Sequence, residues 1–350
     1  MNKLINTALS SFGMSGMVFH GPILKVNPNF RICKILERSR NLSAPLYPEA
    51  VIVRDYDEIL DDPEIELVVV NTPDEFHYRM CKQALEAGKH VVVEKPFTRT
   101  VEEANELIDL AKSKDLLLTV FQNRRWDGDF LTVKKVIEER QLGRLVEFES
   151  HFDRYRNFIQ PGTWKETGDD RGGVLYNLGS HMVDQALVLF GMPQTVTAHL
   201  AIVREGGVVN DYYDIRLQYD GFAAILKCSY LARVPGPRYS LYGDLGTFRK
   251  WGIDPQEEAL KAGRLPNEAG WGTESFADWG EMDTEHKGLH FREKVETIPG
   301  NYPVFYNNLY QALVNGAELL VKPEESRDCQ LVLEACLQSH REKRTVMLKV

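Results

Sequence analysis

The sequence predicts a two-domain α/β protein: an N-terminal, doubly wound parallel sheet, then an α+β domain with a large, mostly antiparallel open sheet. Up to about residue 122, short apolar runs alternate with helical patterns, which is typical of a parallel sheet. Beyond residue 130, strand-like runs gather together, which favours an antiparallel sheet. The length of 350 residues agrees with two domains, which we place at 1–123 and 124–350.

In the first domain, brief runs of Val, Ile and Leu suit strands buried on both faces of a sheet. These runs are 4–9, 30–36, 67–70, 91–93 and 116–121. Thr72-Pro73-Asp74-Glu75 has the pattern of a capping box and predicts a helix that ends at Gly88. Thr100-Val101-Glu102-Glu103 predicts a second capped helix, which runs to about Lys114.

In the second domain, the periodicity predicts both helices and strands. The helices are expected at about 130–140, 174–190, 303–316 and 325–341. The strands are expected at 145–155, 194–204, 212–219, 222–232, 238–243 and 289–298. The stretch 252–285 is rich in Gly, Trp and acidic residues, and we expect it to be a long surface excursion.

The bulk composition narrows the class of protein. With 42 basic and 51 acidic residues, the net charge is −9, which argues against a nucleic-acid or anionic-membrane surface. The five cysteines include no C-x-x-C pair, and free thiols in a reducing compartment are the favoured interpretation. The N-terminus lacks the apolar core of a signal peptide, so we expect a cytoplasmic protein.

A glycine-containing turn follows the first predicted strand. It consists of Ser11, Phe12, Gly13, Met14, Ser15 and Gly16, and differs from G-x-G-x-x-G only in its first position. The start of a helix offers N–H groups to a pyrophosphate, and glycines allow close approach of the backbone. The turn alone is weak support, since a plain strand–helix turn has the same residues, but the parallel-sheet pattern favours a dinucleotide site.

The end of the second predicted strand carries mixed charges. At this position an acid accepts a hydrogen bond from the 2′-OH of NAD, whereas arginine receives the 2′-phosphate of NADP. Glu37 would repel a phosphate, and Arg38 and Arg40 would attract it. A solvated strand end fits these residues equally well, so they leave the coenzyme open between NADP and NAD.

Two further patterns point to chemistry. Val91-Val92-Val93 delivers Glu94-Lys95-Pro96 to the carboxyl end of a buried strand, where ligands of open α/β sheets bind. Lys95 there is either a surface lysine or a group that stabilises a developing alkoxide. Asn177, His181 and Asp184 share one helical face, which makes His181 either a structural histidine or a general acid/base. The spacing does not favour a metal site.

Together, the glycine turn, Glu94-Lys95-Pro96 and Gly179-Ser180-His181-Met182-Val183-Asp184 resemble the glucose–fructose oxidoreductase/inositol dehydrogenase (Gfo/Idh/MocA) family over essentially the whole chain. Phe19-His20-Gly21-Pro22 and the run 122–127 resemble its subgroup of NADP-dependent scyllo-inositol dehydrogenases. The resemblance implies a Rossmann domain and hydride transfer between nicotinamide and a sugar or cyclitol carbon. It also implies NADP as the preferred coenzyme, and homodimers or homotetramers formed through the C-terminal sheet.

The resemblance also implies residue roles. Lys95 would hold the reacting oxygen, and His181 would accept its proton. Beyond the glycine turn and the 37–40 segment, the expected cofactor-binding residues are Asn71, Thr72, Pro73, His77, Glu94, Lys95, Pro96, Asn123 and Arg124. The family often carries aspartate where this chain has Asn177, and glycine where it has Ser11. These departures bear on the pH optimum and on the phosphate geometry.

A last group of residues has two equal interpretations, a polyol pocket or packing between domains with the arginines in ion pairs. It consists of Arg125, Trp126, Arg154, Tyr155, Arg156 and Trp164. Asn177 joins Lys95 and His181 as an expected substrate contact. Two other functions stay open on the same scaffold: a non-catalytic dinucleotide sensor, and a reductase for another carbonyl compound.

Overall fold

A computed structural model describes residues 3–161, 166 and 171–348. The chain forms two compact units. The first contains residues 1–126, 255–271 and 301–327, and the second contains 127–254, 272–300 and 328–350. The predicted boundary between residues 123 and 124 stays a prediction. No helix in the described part of the chain is long and apolar enough to cross a bilayer.

The first unit contains a six-stranded parallel sheet in the order β3-β2-β1-β4-β5-β6. Its central strands are buried on both faces, and β4 is fully buried along its length. The strands are β1 (Ile5–Leu9), β2 (Phe30–Leu36), β3 (Val51–Val53), β4 (Leu67–Val70), β5 (His90–Val93) and β6 (Leu118–Val120). The predicted doubly wound sheet is confirmed, with β3 as an additional edge strand.

The helices of the first unit pack around this sheet over one apolar core. They are α1 (Gly21–Val26), α2 (Asp57–Leu60), α3 (His77–Glu86), α4 (Val101–Ser113), α7 (Gln256–Lys261) and α8 (Pro303–Asn315). Thr100 caps α4 as predicted, because its hydroxyl accepts a hydrogen bond from the Glu103 N–H at 3.2 Å. The capping box predicted at Thr72 is wrong: a 3₁₀ turn precedes α3, and Pro73 stands at its cap with no side-chain hydrogen bond.

The second unit contains a nine-stranded sheet, and among its described strands only β7 and β10 pair in parallel. Its order is β14-β13-β12-β11-β7-β10-β9-β8-β15, which confirms the predicted large and mostly antiparallel sheet. The strands are β7 (Leu145–His151), β8 (Thr195–Ala201), β9 (Tyr212–Gln218), β10 (Ala223–Ser229), β11 (Tyr239–Gly243), β12 (Gly246–Lys250), β13 (Gly280–His286), β14 (Leu289–Val295) and β15 (Val346–Met347).

The helices of this unit are α5 (Gly128–Glu138), α6 (Ser180–Phe190) and α9 (Pro323–Glu342), whose first turns belong to the other unit. The stretch 252–285, expected to be a surface excursion, is mostly exposed but also contains α7 and β13. Gln256 is a buried residue within it. Its amide donates to the Trp126 carbonyl at 3.0 Å and accepts from Trp271 Nε1 at 2.9 Å and the Tyr302 N–H at 2.8 Å.

Candidate active site

The turn after β1 brings backbone and side chain into close contact at Gly16. A Cβ at Gly16 would lie 2.6 Å from the Ser11 carbonyl oxygen and 2.8 Å from Asn71 Nδ2. A π-helical turn, Gly16–His20, follows directly and runs into α1. Gly16 is therefore required for close packing of this helix start against the turn, as the glycine pattern predicts.

Ser11 and Asn71 are joined by three hydrogen bonds. The Ser11 N–H donates to Asn71 Oδ1 at 2.9 Å, and Asn71 Nδ2 donates to the Ser11 carbonyl at 2.9 Å. The Ser11 hydroxyl donates to the Asn71 carbonyl at 2.7 Å. Ser11 does not have a positive φ, so its backbone does not need glycine. Its hydroxyl connects the turn after β1 to the turn after β4.

The same turn leaves room where a pyrophosphate would approach. No heavy atom lies within 4 Å of a Cβ placed on Gly13, and Met14 beside it is exposed. Thr72 Oγ1 is buried and has no hydrogen-bond partner in the described part of the chain. An open glycine at a helix start and a buried hydroxyl without a partner both fit a nicotinamide dinucleotide, so these residues are suited to hold it.

Glu37 turns inward at the end of β2. Its carboxylate accepts hydrogen bonds from the Leu42 N–H at 2.8 Å, the Ser43 N–H at 2.9 Å and the Ser43 hydroxyl at 2.5 Å. Burial opposes ionisation, but these hydrogen bonds outweigh burial and lower the pKa of Glu37. Arg38, Ser39 and Arg40 are all exposed at this strand end.

Arg54 holds the backbone of the same loop. Its Nη1 donates to the Arg40 carbonyl at 2.7 Å and also to the Glu37 carbonyl. Glu37 and Arg54 therefore fix the loop from both sides, while the two arginines at its tip stay exposed. The Glu37 carboxylate is therefore engaged within its own loop.

Lys95 follows the buried strand β5, as predicted. It is half-buried, and the Lys95–Pro96 peptide bond is cis. Glu94 accepts from the Lys95 N–H at 3.1 Å and lies 3.1 Å from His20 Nε2, while His20 Nδ1 lies 2.7 Å from the Tyr306 hydroxyl. Burial alone would raise the pKa of Glu94, but the hydrogen bond with His20 and the nearby cations lower it.

His77, at the first position of α3, connects the β4 and β5 turns. Its Nδ1 lies 2.8 Å from the Pro96 carbonyl oxygen, and its Nε2 lies 2.9 Å from the Thr72 carbonyl oxygen. The ring is almost fully buried, with 1% exposure. Ser11 is thus hydrogen-bonded to Asn71, and His77 bridges Pro96 to Thr72, the residue that follows Asn71.

The turn after β6 is a buried 3₁₀ helix, Asn123–Trp126. Arg124 Nη2 pairs with Glu257 at 2.5 Å, and Arg125 Nη1 pairs with Glu325 at 2.6 Å. Burial would raise the pKa of Glu257, yet the Arg124 charge and the ion pair with Lys261 lower it to about 2. Trp126 packs edge-on against a phenylalanine of α8. Within the first unit both guanidinium groups are therefore engaged in ion pairs.

His181 belongs to the second unit, in the first turn of α6, and is 5% exposed. A π-helical turn, Leu175–Gly179, precedes α6 and contains Asn177. Because a π-turn has more residues per turn than an α-helix, the angle between the Asn177 and His181 side chains differs from the one predicted from α-helical spacing. Asp184 lies buried one turn further on.

A small polar cavity in the second unit lies beside Asn177. Its lining includes Arg156, Glu166, Arg204 and Tyr230. Arg204 is buried and pairs with Glu166 and Asp211, each at 2.7 Å. Arg154 lies over the ring of Phe152, and the Tyr155 ring is exposed beneath Arg233. Trp164 lies outside the described residues.

Sequence reasoning gave no role to His20, Arg54, Tyr306 or Glu257, which support the predicted residues. Two of them carried a signal: His20 belongs to the Phe19-His20-Gly21-Pro22 segment, and Glu257 ends the segment 252–257, which resembles the same NADP-dependent subgroup. The others contact residues far away in the sequence. Among the described residues, no three His, Cys, Asp or Glu side chains cluster as ligands for a metal ion.

Comparison with known proteins places this arrangement among oxidoreductases. Residues 5–122 match the model of an oxidoreductase family's NAD-binding Rossmann fold, and residues 134–348 match the same family's C-terminal alpha/beta domain. The chain is 40% identical over 345 residues to the scyllo-inositol 2-dehydrogenase (NADP(+)) IolW of Bacillus subtilis, covering 99% of this chain and 96% of that protein. It is 38% identical to the uncharacterised oxidoreductase YdgJ of Escherichia coli, over 99% of this chain and 100% of that one.

Solved structures agree with this result. A chain from Bacteroides fragilis is 50% identical, with a TM-score of 0.92, and the match covers 99% of this chain and 100% of that one. An oxidoreductase from Bacillus cereus is 36% identical, with a TM-score of 0.91 and 99% coverage of both chains. The chain belongs to the Gfo/Idh/MocA family of oxidoreductases and carries that family's NAD-binding Rossmann domain.

Proposed function

We propose that this protein is an NADP-dependent dehydrogenase that acts on a hydroxyl carbon of a sugar or cyclitol such as an inositol. One observation carries the proposal: Lys95 stands at the carboxyl end of β5, its backbone held by Glu94. Similarity to an inositol dehydrogenase over 99% of the chain supports the substrate class. We also propose the association through the nine-stranded sheet that the family resemblance implies.

In this proposal Lys95 and His181 divide the work on the alcohol. The Lys95 ammonium donates a hydrogen bond to the reacting oxygen and stabilises the negative charge that develops there. The His181 imidazole accepts the hydroxyl proton and returns it in the reverse direction. The nicotinamide coenzyme, when bound, supplies the hydride acceptor or donor. Ser11, Asn71 and Thr72 would hold it, together with the open backbone at Gly13.

The preference for NADP rests on the loop at 37–43. An acid that selects NAD must offer its carboxylate to the ribose, and the Glu37 carboxylate is engaged by the Leu42 and Ser43 donors instead. Arg38 and Arg40 are exposed on the same loop and can pair with a 2′-phosphate. We therefore expect the double variant Arg38→Ala/Arg40→Ala to raise the KM for NADP at least about tenfold and to leave the KM for NAD unchanged. Equal increases with both coenzymes would refute this assignment.

The catalytic proposal is tested with a panel of inositols, sugars and linear polyols, each with NADP and with NAD, followed by reduced-nicotinamide absorbance. We expect Lys95→Ala to lower turnover by at least about two orders of magnitude. We expect His181→Ala to lower it by roughly 10²–10⁴-fold. Lys114→Ala, on the exposed end of α4, is the matched control and should retain full turnover.

The outcomes separate the rival functions. Near-normal turnover of Lys95→Ala would remove the lysine from the mechanism, and an unchanged pH–rate profile for His181→Ala would remove the histidine. Coenzyme binding without turnover on the whole panel would identify a dinucleotide sensor. Turnover confined to a carbonyl compound outside the sugars and cyclitols would identify a reductase with a different substrate.

A further inference from the structure

His77 has an unusual pair of hydrogen-bond partners. Both ring nitrogens approach backbone carbonyl oxygens, Nδ1 that of Pro96 at 2.8 Å and Nε2 that of Thr72 at 2.9 Å. A carbonyl oxygen only accepts hydrogen bonds, whereas a neutral imidazole has one N–H donor and one lone pair. A neutral ring would therefore direct a lone pair at one of the two oxygens, in a site with 1% exposure.

His20, in the same unit, shows what a neutral ring requires. Its Nε2 lies against the Glu94 carboxylate, which accepts, and its Nδ1 lies against the Tyr306 hydroxyl, which can donate. One proton on the His20 ring therefore satisfies both contacts. His77 has no such choice, because neither of its partners is able to donate.

Charged groups around His77 act in both directions. The Glu94 carboxylate is close enough that a positive charge on His77 would contribute to lowering the pKa of Glu94. Asp74 and Glu75 lie in the turn directly before His77 and add negative charge at the helix start. The Lys95 ammonium and the positive end of the α3 dipole oppose a cation there, and Arg99 partly neutralises Asp74.

We propose that His77 is held as an imidazolium that donates to the Thr72 and Pro96 carbonyls together and so positions Lys95 relative to the β4 turn. Pro96 directly follows Lys95, and Thr72 directly follows Asn71, the partner of Ser11. A single buried cation thus fixes the spacing between two turns of the Rossmann sheet. His77 acts as a positioning residue, and the consequence for turnover rests on the proposed function of Lys95.

The protonation state is measured directly, without substrate. The full-length protein is labelled with ¹⁵N-histidine, and ring nitrogen resonances are recorded at neutral pH, with His77→Gln or His77→Asn used for assignment. We expect both ring nitrogens of His77 to be of the protonated type. A bare nitrogen on His77 would overturn the proposal, whatever the enzyme's substrate is.

The positioning role is measured by kinetics. We expect His77→Gln to lower kcat about tenfold or more, because small displacements of a catalytic group are costly. His90→Gln is the matched control. His90 lies at the start of β5, the strand that precedes Lys95, and its ring accepts a hydrogen bond from the Leu117 N–H at 3.0 Å. This variant should keep its turnover. Full turnover of His77→Gln would refute the positioning role. A wild type inactive on the whole panel would instead count against the proposed function, and the NMR result would still decide the charge.

Discussion

Gly16 and Gly13 occupy the same turn but have opposite surroundings, and a pair of alanine variants separates packing from coenzyme binding. In Gly16→Ala the new methyl would meet the Ser11 carbonyl oxygen at 2.6 Å and Asn71 Nδ2 at 2.8 Å. Ordinary van der Waals contact begins near 3.4 Å, so these atoms must move by more than half an ångström. In Gly13→Ala the methyl would meet nothing within 4 Å, and φ is not left-handed.

The two magnitudes follow from this geometry. Overpacking costs about 1–3 kcal/mol, and the better helix propensity of alanine offsets up to about 1 kcal/mol. We therefore expect Gly16→Ala to lower the free energy of unfolding by about 1–2 kcal/mol. Gly13→Ala should leave it unchanged or raise it by a few tenths of a kcal/mol, because alanine narrows the unfolded ensemble.

Urea unfolding without coenzyme measures the packing effect, and thermal shift titrated with NADP measures coenzyme binding. We expect both variants to weaken NADP binding at least about tenfold, because the backbone of this turn must approach a pyrophosphate closely. If Gly16→Ala is as stable as the wild type, the contact with Ser11 and Asn71 is not tight. If Gly13→Ala binds NADP normally, the pyrophosphate does not cross Gly13.

Two further variants test the electrostatics. Arg124 and Lys261 together lower the pKa of Glu257 from 4.5 to about 2, which corresponds to about 3 kcal/mol of stabilisation at neutral pH. A carboxyl group whose pKa is lowered on folding stabilises the fold above pH about 4.5, and this stabilisation is lost as the pH falls towards 2. Urea unfolding should therefore show that the difference in free energy of unfolding between the wild type and Glu257→Gln becomes smaller between pH about 4.5 and 2. A gap independent of pH would contradict the ion-pair assignment. Asn177→Asp should shift the pH–rate profile by coupling to His181, since a carboxylate stabilises an imidazolium and an amide does not; superimposable profiles would show that the two are uncoupled.

The central strands of the first unit were predictable because a strand that is buried on both faces requires a short, nearly continuous run of Val, Ile and Leu. Val68, Val69 and Val70 of β4 are fully buried, as are the three valines of β5. The edge strand β3 was missed because it has three residues and exposes Val51, so neither length nor burial marks it. Local composition therefore predicts the centre of the sheet better than its edge.

Long-range polar contacts explain the larger errors. Gln256 is buried through bonds to Trp126, Trp271 and Tyr302, and the sequence around Gln256 gives no sign of these partners. Thr72 has the residue pattern of a capping box, but Pro73 occupies the cap and His77 takes the Thr72 carbonyl. In both places a tertiary hydrogen bond determines a structure that the local pattern assigns differently.

Ser11 illustrates why a motif position should be judged by what it contacts. Compared with glycine, serine is a departure from the motif of a dinucleotide-binding turn, and from the sequence its small size and a hydroxyl able to reach a phosphate oxygen argue in its favour. The backbone N–H and carbonyl of Ser11 bind the Asn71 side chain, and a glycine would retain both of these bonds. Its hydroxyl adds a third, to the Asn71 carbonyl, that a glycine would lose. Because φ is not left-handed there, serine pays no conformational penalty, and the departure strengthens the link between the two turns that the coenzyme would need.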